Sequence, residues 1–307
     1  MGNWLVSLCA PAKQLMAQFS YSIKFIVVSL IFIVPLILSL ALLQYEYGEE
    51  IRFTEKEIEG LQIVNKTSVE NKSLAEALIN GQDFSSQLIN NTDFGVLSSN
   101  AIDKRLVSYK RSFEQQDLNQ SFAALIQVTQ SVADYSNLEL DLALSTSYLV
   151  TTLVETLPQA QAQLAKTAQL GRAVLESGSF TPETYIGLSG ANQKLSLAIM
   201  NVDESIRVSL EANSDISQQL ASKWQGLRKD LYEYQNLIQS TILDPDSFEI
   251  SQNDLQQRSL ATNQRVFEFA TALSPVLAQQ LEQRISDAAF KNTIILLISI
   301  VAVLLAG

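Results

Sequence analysis

The chain has 307 residues, 47% apolar and 17% charged, and its mean hydropathy of +0.11 is high for a soluble protein, so membrane segments are sought first. Its 32 acids against 21 bases give a net charge of −11, and without a block of bases this disfavours nucleic-acid binding. The lack of His excludes His-based acid–base, nucleophile and metal chemistry, the single cysteine, Cys9, excludes disulfide frameworks and CxxC motifs, and low Gly and Pro counts (11 and 6) disfavour many-turned β architectures.

In chain order, residues 1–24 read as a short cytoplasmic segment and 25–45 as a first transmembrane helix. Phe25 to Leu43 carries no charge, contains only Pro35 as a potential breaker, and is flanked by Tyr21, Tyr45 and Tyr47 as an interfacial belt would be. The run exceeds a signal-peptide core and 24 residues precede it, so an uncleaved anchor is expected. Lipidation motifs are weak: Val6 stands where myristoylation wants Ser or Thr, and Cys9 follows a bulky leucine. Thr293 to Gly307 is again uncharged and reads as a second transmembrane helix, 292–307, cut short. Between them, residues 46–291 hold 19 bases and all 32 acids, whereas residues 1–45 hold only Lys13 and Lys24. The positive-inside rule then puts the N terminus in the cytoplasm and 46–291 in the periplasm. Four sequons, at Asn65, Asn71, Asn90 and Asn119, are read as chance in a chain rich in Asn and Ser.

The middle reads as helices throughout, without period-2 strands. A stripe at Ile51, Thr54, Ile58 and Leu61 continues out of the first span. Asp103 to Ala133 is a less regular helical candidate. Val150, Leu153, Leu157, Ala160, Leu164, Thr167, Gly171 and Val174 form a stripe ending at Ser177-Gly178-Ser179, after which Thr181-Pro182 looks like an N-cap with proline at N1. The clearest stripe runs from Leu195 through Ile206, Ser209, Asn213, Ile216 and Trp224 to Ile238 with heptad spacing and one skip. Unbroken from Pro182 to Leu243, that helix would be roughly 90 Å long. A last stripe, Leu273 to Ala288, leads into the second span. Polar seam positions (Asn65, Ser68, Ser209, Asn213) either set register or a weak dimer face, or point to solvent. Breaks are expected near Gly81, Asn90–Ser99, Ser136–Leu144, Ser177–Ser179 and Asp244–Ser251. Whether 136–144 is a hairpin or a kink separates four helical passes from six. The expected fold is all-α: an elongated up-down bundle of the four-helix type, in one or two stacked modules, between two transmembrane helices.

No GxGxxG, Walker or EF-hand pattern occurs, so no cofactor or metal is expected. Pairs such as Glu55 with Glu59 suit solvated helix faces, and an enzyme is not expected. A small-molecule site between helices fits better, and an arginine turned into such a cleft would clamp a carboxylate. Arg105, Arg111, Arg172, Arg207 and Arg265 are the candidates, with Arg105 and Arg172 carried forward.

Two stretches are more specific. KFIVVSLIFIVPLILSLALL followed by EIRFTEKEIEGLQ resembles the N-terminal segment of bacterial methyl-accepting chemotaxis proteins, where a Lys-Phe-apolar run leads to an acidic helix ending in Glu-x-x-Gly-Leu, here Glu57, Gly60 and Leu61. VADYSNLELDLALSTSYLVTTLVETLP resembles a segment of these receptors, and of some membrane diguanylate cyclases and histidine kinases, through Asp134, Ser136, Asn137, Leu138, Leu140, Asp141, Tyr148, Leu149, Leu157 and Pro158. Relatives usually have proline after the second Asp, where this chain has Leu142. The resemblance implies a homodimeric chemoreceptor of the inner membrane. It also implies a periplasmic sensor for a small molecule such as an organic acid or amino acid, and a HAMP linker with a cytoplasmic signalling output beyond Gly307. Asn137, Asp141 and Tyr148 then line a ligand site or merely cap helices. The alternatives are the same sensor driving a diguanylate cyclase or histidine kinase, and a two-span coiled-coil spacer with no ligand.

Overall fold

The computed structural model describes residues 20–86, 88, 97, 99–140 and 143–306; Cys9, Lys13, Asn90, Asp141 and Leu142 lie outside them. The chain is all-α, with no strand among the described residues. It divides into two compact units, one made of residues up to Phe53 with those from Gln283 onward, the other of Thr54–Glu282.

The first unit holds the beginning of α1 (Tyr21–Asn80) and the end of α8 (Gln252–Ala306). Each contributes a stretch long and apolar enough to cross a membrane, and only 6% of either stretch is buried by protein. Phe32, Leu38, Leu42, Leu297 and Val301 point outward with no protein to pack on. Taking each such side chain out of water is worth about 1.5–3 kcal/mol, which a lipid environment supplies. Backbone groups are satisfied within the helices, as hydrocarbon demands. The Thr293 and Ser299 hydroxyls likewise donate to Ala289 O (2.9 Å) and Ile295 O (2.8 Å) one turn back. Pro35 is carried inside α1 without a break. The two helices meet where the Lys291 ammonium lies 5.8 Å over the Tyr47 ring. Both spans are consistent with a membrane protein.

The second unit contains α2 (Asn100–Glu114), α3 (Leu118–Tyr135), α4 (Leu144–Thr151), α5 (Leu157–Ser177), α6 (Pro182–Ala212) and α7 (Ser214–Ile238), with the adjoining parts of α1 and α8. The expected stripes are the core. Leu195, Ile199, Val202, Ile206, Ile216, Leu220, Leu231 and Ile238 are fully buried, as are Leu164, Leu273 and Leu277. Thr181 caps α6 in a box with Thr184, Pro182 follows at N1, and Gly178 ends α5 with φ +72°. A π-turn, Thr152–Thr156, joins α4 to α5 without interrupting the helical path. It ends two residues before Pro158, which offers no N–H to the Val154 carbonyl, and Leu157 N bonds back to Thr152 O.

Two expectations are corrected, and one alternative that the sequence leaves open is decided. The stripe from Pro182 to Leu243 is not one 90 Å helix: the chain reverses at Asn213, whose side chain accepts from Asp215 N (2.9 Å) and Ile216 N (3.2 Å) and starts α7. The reversal is fixed by Asp203 on α6, which accepts from Trp224 Nε1 (3.1 Å) and pairs with Arg228 (3.0 Å) on α7. Ser209, far from marking an outer face, is fully buried and donates to Ser145 O. Asp103 to Ala133 is likewise a helical hairpin, turned at Gln116 (φ +56°), with Asp117 capping α3. The segment after Tyr135 is a hairpin and not a kink, since Asn119 near the start of α3 bonds Gln169 near the end of α5 (3.1 Å).

A close contact of a side chain on a glycine joins the two stretches that carry the chemoreceptor resemblance. A Cβ on Gly60 would stand 2.0 Å from Ser136 Oγ and 2.4 Å from Ser136 Cβ, and one turn earlier Lys56 lies 4.1 Å over the Tyr135 ring. Ser136 is fully buried, its N held to Val132 O, so it has little room to retreat. Gly60→Ala is therefore expected to lower stability by about 1–2 kcal/mol, overpacking outweighing the gain in helix propensity. Ser136→Gly in the same chain should recover part of it. Urea unfolding of the four members of this cycle checks the coupling, and additive effects would mean that the Ser136 side chain does not press on position 60.

Candidate functional site

Two helices of the second unit carry long stretches without acids in an acidic chain. Residues 118–133 on α3 carry no charge, and residues 156–175 carry only Lys166 and Arg172. Helical spacing gathers their amides on facing stripes: Asn119, Phe122, Ile126, Gln127 and Gln130 on α3, and Gln159, Ala162, Gln163 and Lys166 on α5. With Leu78 of α1 and Lys194 of α6 they line a groove of about 510 Å³. Leu78, Phe122 and Ile126 give it an apolar floor; the rim is amide and ammonium, and no carboxylate lines it.

The rim is pre-set by its own hydrogen bonds. Lys166 Nζ and Asn119 Nδ2 both donate to Gln169 Oε1 at 3.1 Å. Gln159 Nε2 donates to Glu155 Oε1 (3.3 Å), which leaves its own oxygen as an acceptor. Arg105 Nη1 donates to Gln127 Oε1 (2.8 Å), leaving the Gln127 amide as a donor. Arg207, Arg228 and Arg265 each pair with a carboxylate, as do Lys72 and Lys229. Lys166 and Lys194 have no such pair among the described residues. The groove can therefore take an anion bearing several hydrogen-bonding groups.

The expected site residues are dispersed. Asn137 sits in the left-handed region (φ +66°) just past α3, its N donating to Asp134 O (3.1 Å) and its O accepting from Leu140 N (2.9 Å), the geometry of a helix C-terminus. Tyr148 is half-buried on α4, where its carbonyl accepts from Thr152 Oγ1 (2.7 Å). Arg172 closes the C-terminal end of α1: Nη1 donates to Ile79 O (3.3 Å), and the guanidinium fills the space beside Gly81 (φ +64°), favourably placed against the negative end of the helix dipole. Arg105, exposed, does not line the groove but bonds Gln127, which does. Asp141 lies outside the described residues. Reading for clefts by arginine missed Gln130, Gln163, Lys166 and Lys194. The signal that finds them is the run of sequence without acids.

Two buried polar clusters fix the helices around the groove. The Glu70 carboxylate accepts from Tyr109 OH (2.8 Å), Leu88 N (3.3 Å) and Ser86 Oγ, tying α1 to α2 and to the segment between them. Burial, and then the Glu70 charge, push the Tyr109 phenol well above its ordinary value, so it stays a donor. Across the core, Gln161 Nε2 donates to Asn263 Oδ1 (2.7 Å) and Asn263 Nδ2 to Lys72 O (3.3 Å), joining α5, α8 and α1. Asn263→Leu strands buried polar groups on both neighbours and is expected to cost about 1–3 kcal/mol in urea unfolding, whereas an exposed change such as Ser222→Ala should cost almost nothing.

Near the α3–α4 turn, Glu139 is pushed up to about 7 by burial, by a hydrogen bond to Asp134 and by the charges of Asp134 and Glu155. The unfolded chain loses this proton first, so stability is highest below about pH 4.5 for this group and falls as pH rises to about 7. The side chain still meets water, which keeps the effect small. Glu139→Gln should flatten that part of the pH–stability curve; an unchanged slope in the variant would remove Glu139 as its source.

No protein-family model matches the chain, and neither a curated protein nor a solved structure matches it.

Proposed function

We propose that the chain is the sensing half of a bacterial transmembrane chemoreceptor. In this reading Thr54–Glu282 is a periplasmic, non-enzymatic sensor, built as an up-down bundle of the four-helix type in one or two stacked modules and carried by two helices of the inner membrane. The protein is a homodimer in the bilayer and signals through a HAMP linker to cytoplasmic partners, with no role for nucleic acid. The observation that carries the reading is the pairing of two exposed apolar spans with an acidic helical unit that holds an acid-free, lysine-bearing groove. The resemblance to methyl-accepting chemotaxis proteins supports it, because its two stretches, far apart in sequence, pack on one another at Gly60 and Ser136.

The ligand expected is a small organic acid or amino acid seated in the groove. Binding shifts the helices only as far as its affinity differs between two packings of the unit. α5 is the element that would register the ligand, and its contact with α8 through Gln161 and Asn263 gives the route to the helix that enters the second span.

A thermal-shift screen of the intact chain in lipid nanodiscs against organic acids, amino acids and amines tests this. At a hundredfold excess over Kd a true ligand adds about 2.7 kcal/mol, enough to raise the unfolding temperature by several degrees. The expected result is at least one carboxylate hit that disappears in Lys166→Ala. A folded chain that answers to nothing in the panel would favour the spacer.

A further inference from the structure

The groove says more about its occupant than that it is anionic. Five side-chain amides, Asn119, Gln127, Gln130, Gln159 and Gln163, line it beside two ammonium groups. Each amide presents both a donor and an acceptor, and the fixed partners of Gln127 and Gln159 leave one edge offering N–H and the other C=O. A simple diacid carries only acceptors, so it would leave the amide N–H groups served and the amide oxygens desolvated without a partner. Hydroxyls both donate and accept, and a row of them answers such amides in full. The apolar floor of Leu78, Phe122 and Ile126 suits the C–H face of a sugar ring. A space of about 510 Å³ also exceeds what a four-carbon acid fills and is in the range of sites that hold larger ligands.

We infer that the groove between α3, α5 and α6 binds a sugar acid, a uronate of one or two rings, with its carboxylate at Lys166 and Lys194 and its hydroxyls on the amides of α3 and α5. This rests on the groove being the ligand site, as proposed above. Lys166 is the better placed of the two cations, since Gln169 orients it from behind at 3.1 Å; Lys194, exposed on α6, reaches in from the other wall. Selectivity over neutral sugars comes from the two cations, and selectivity over plain diacids from the amides.

Isothermal titration of the intact chain in nanodiscs with glucuronate, digalacturonate, maltose and succinate tests the inference. The expected result is binding of a uronate at least tenfold tighter than of maltose or succinate, weakened at least tenfold by Lys166→Met and by Gln163→Glu, with unfolding temperatures unchanged. Lys194→Met, on an exposed side chain that does not endanger folding, should weaken it as well. Succinate binding as tightly as the uronates would overturn the sugar-acid assignment and leave the groove standing as a carboxylate site. Uronate binding untouched by all three variants would overturn the groove itself. Failure of every probe to bind would overturn the inference, while a hit from the broader panel with Lys166 dependence would still uphold the sensor reading.

Discussion

The close approach of Gly60 to Ser136 sets the arrangement of the helical unit. A glycine on α1 lets the Ser136 side chain, in the turn after α3, press directly onto the helix backbone. Where that turn sits decides where α4 begins, and therefore how α5 is staggered against α3. The stagger in turn places Asn119 against Gln169 and lines up the two amide stripes. A larger residue at position 60 would have to displace Ser136, and with it the turn after α3. The groove thus depends on a residue type at a site that is not part of it.

Buried polar groups secure the same arrangement against sliding. Apolar helix faces pack nearly as well one turn out of register, so a core of Leu, Ile and Val alone would leave the helices poorly fixed along their axes. Glu70 with its three donors, and the Gln161–Asn263–Lys72 chain, are satisfied at one setting only. Such groups contribute little net stability, because desolvation offsets most of what the bonds return. What they supply is a defined register. In a receptor, that is the quantity a ligand would have to change.

Much of this was readable in the residues. The spans declare themselves by uncharged length, the core stripes by their three- and four-residue spacing, and the ends of α5 and α6 by Gly178 and by Thr181-Pro182. The reversal at Asn213 was not. Both α6 and α7 bury their apolar faces in one core, and the short turn between them keeps the heptad phase, so the stripe runs on through a complete change of direction. Only Ser209 and Asn213 break its apolar character, and a polar residue in a seam reads equally well as a register device. Gln116 hid the hairpin of α2 and α3 for a similar reason, since a non-glycine left-handed residue leaves little mark in sequence. The candidate site was legible only in the negative. Amides are common on any exposed helix, and what marks the groove is that residues 118–133, 156–175 and 184–202, from which most of its lining comes, hold no carboxylate.

The proposed receptor requires the helical unit to lie on the outer side of a membrane crossed by its two apolar flanking helices. Labelling of one introduced thiol tests this most directly, because Cys9 is the only native one. In a Cys9→Ser, Ser222→Cys chain, with position 222 exposed on α7, a membrane-impermeant maleimide is added to intact spheroplasts and, separately, to lysed ones. Full labelling of the intact spheroplasts is the predicted result. A thiol that reacts only after lysis would put the unit in the cytoplasm and contradict the account.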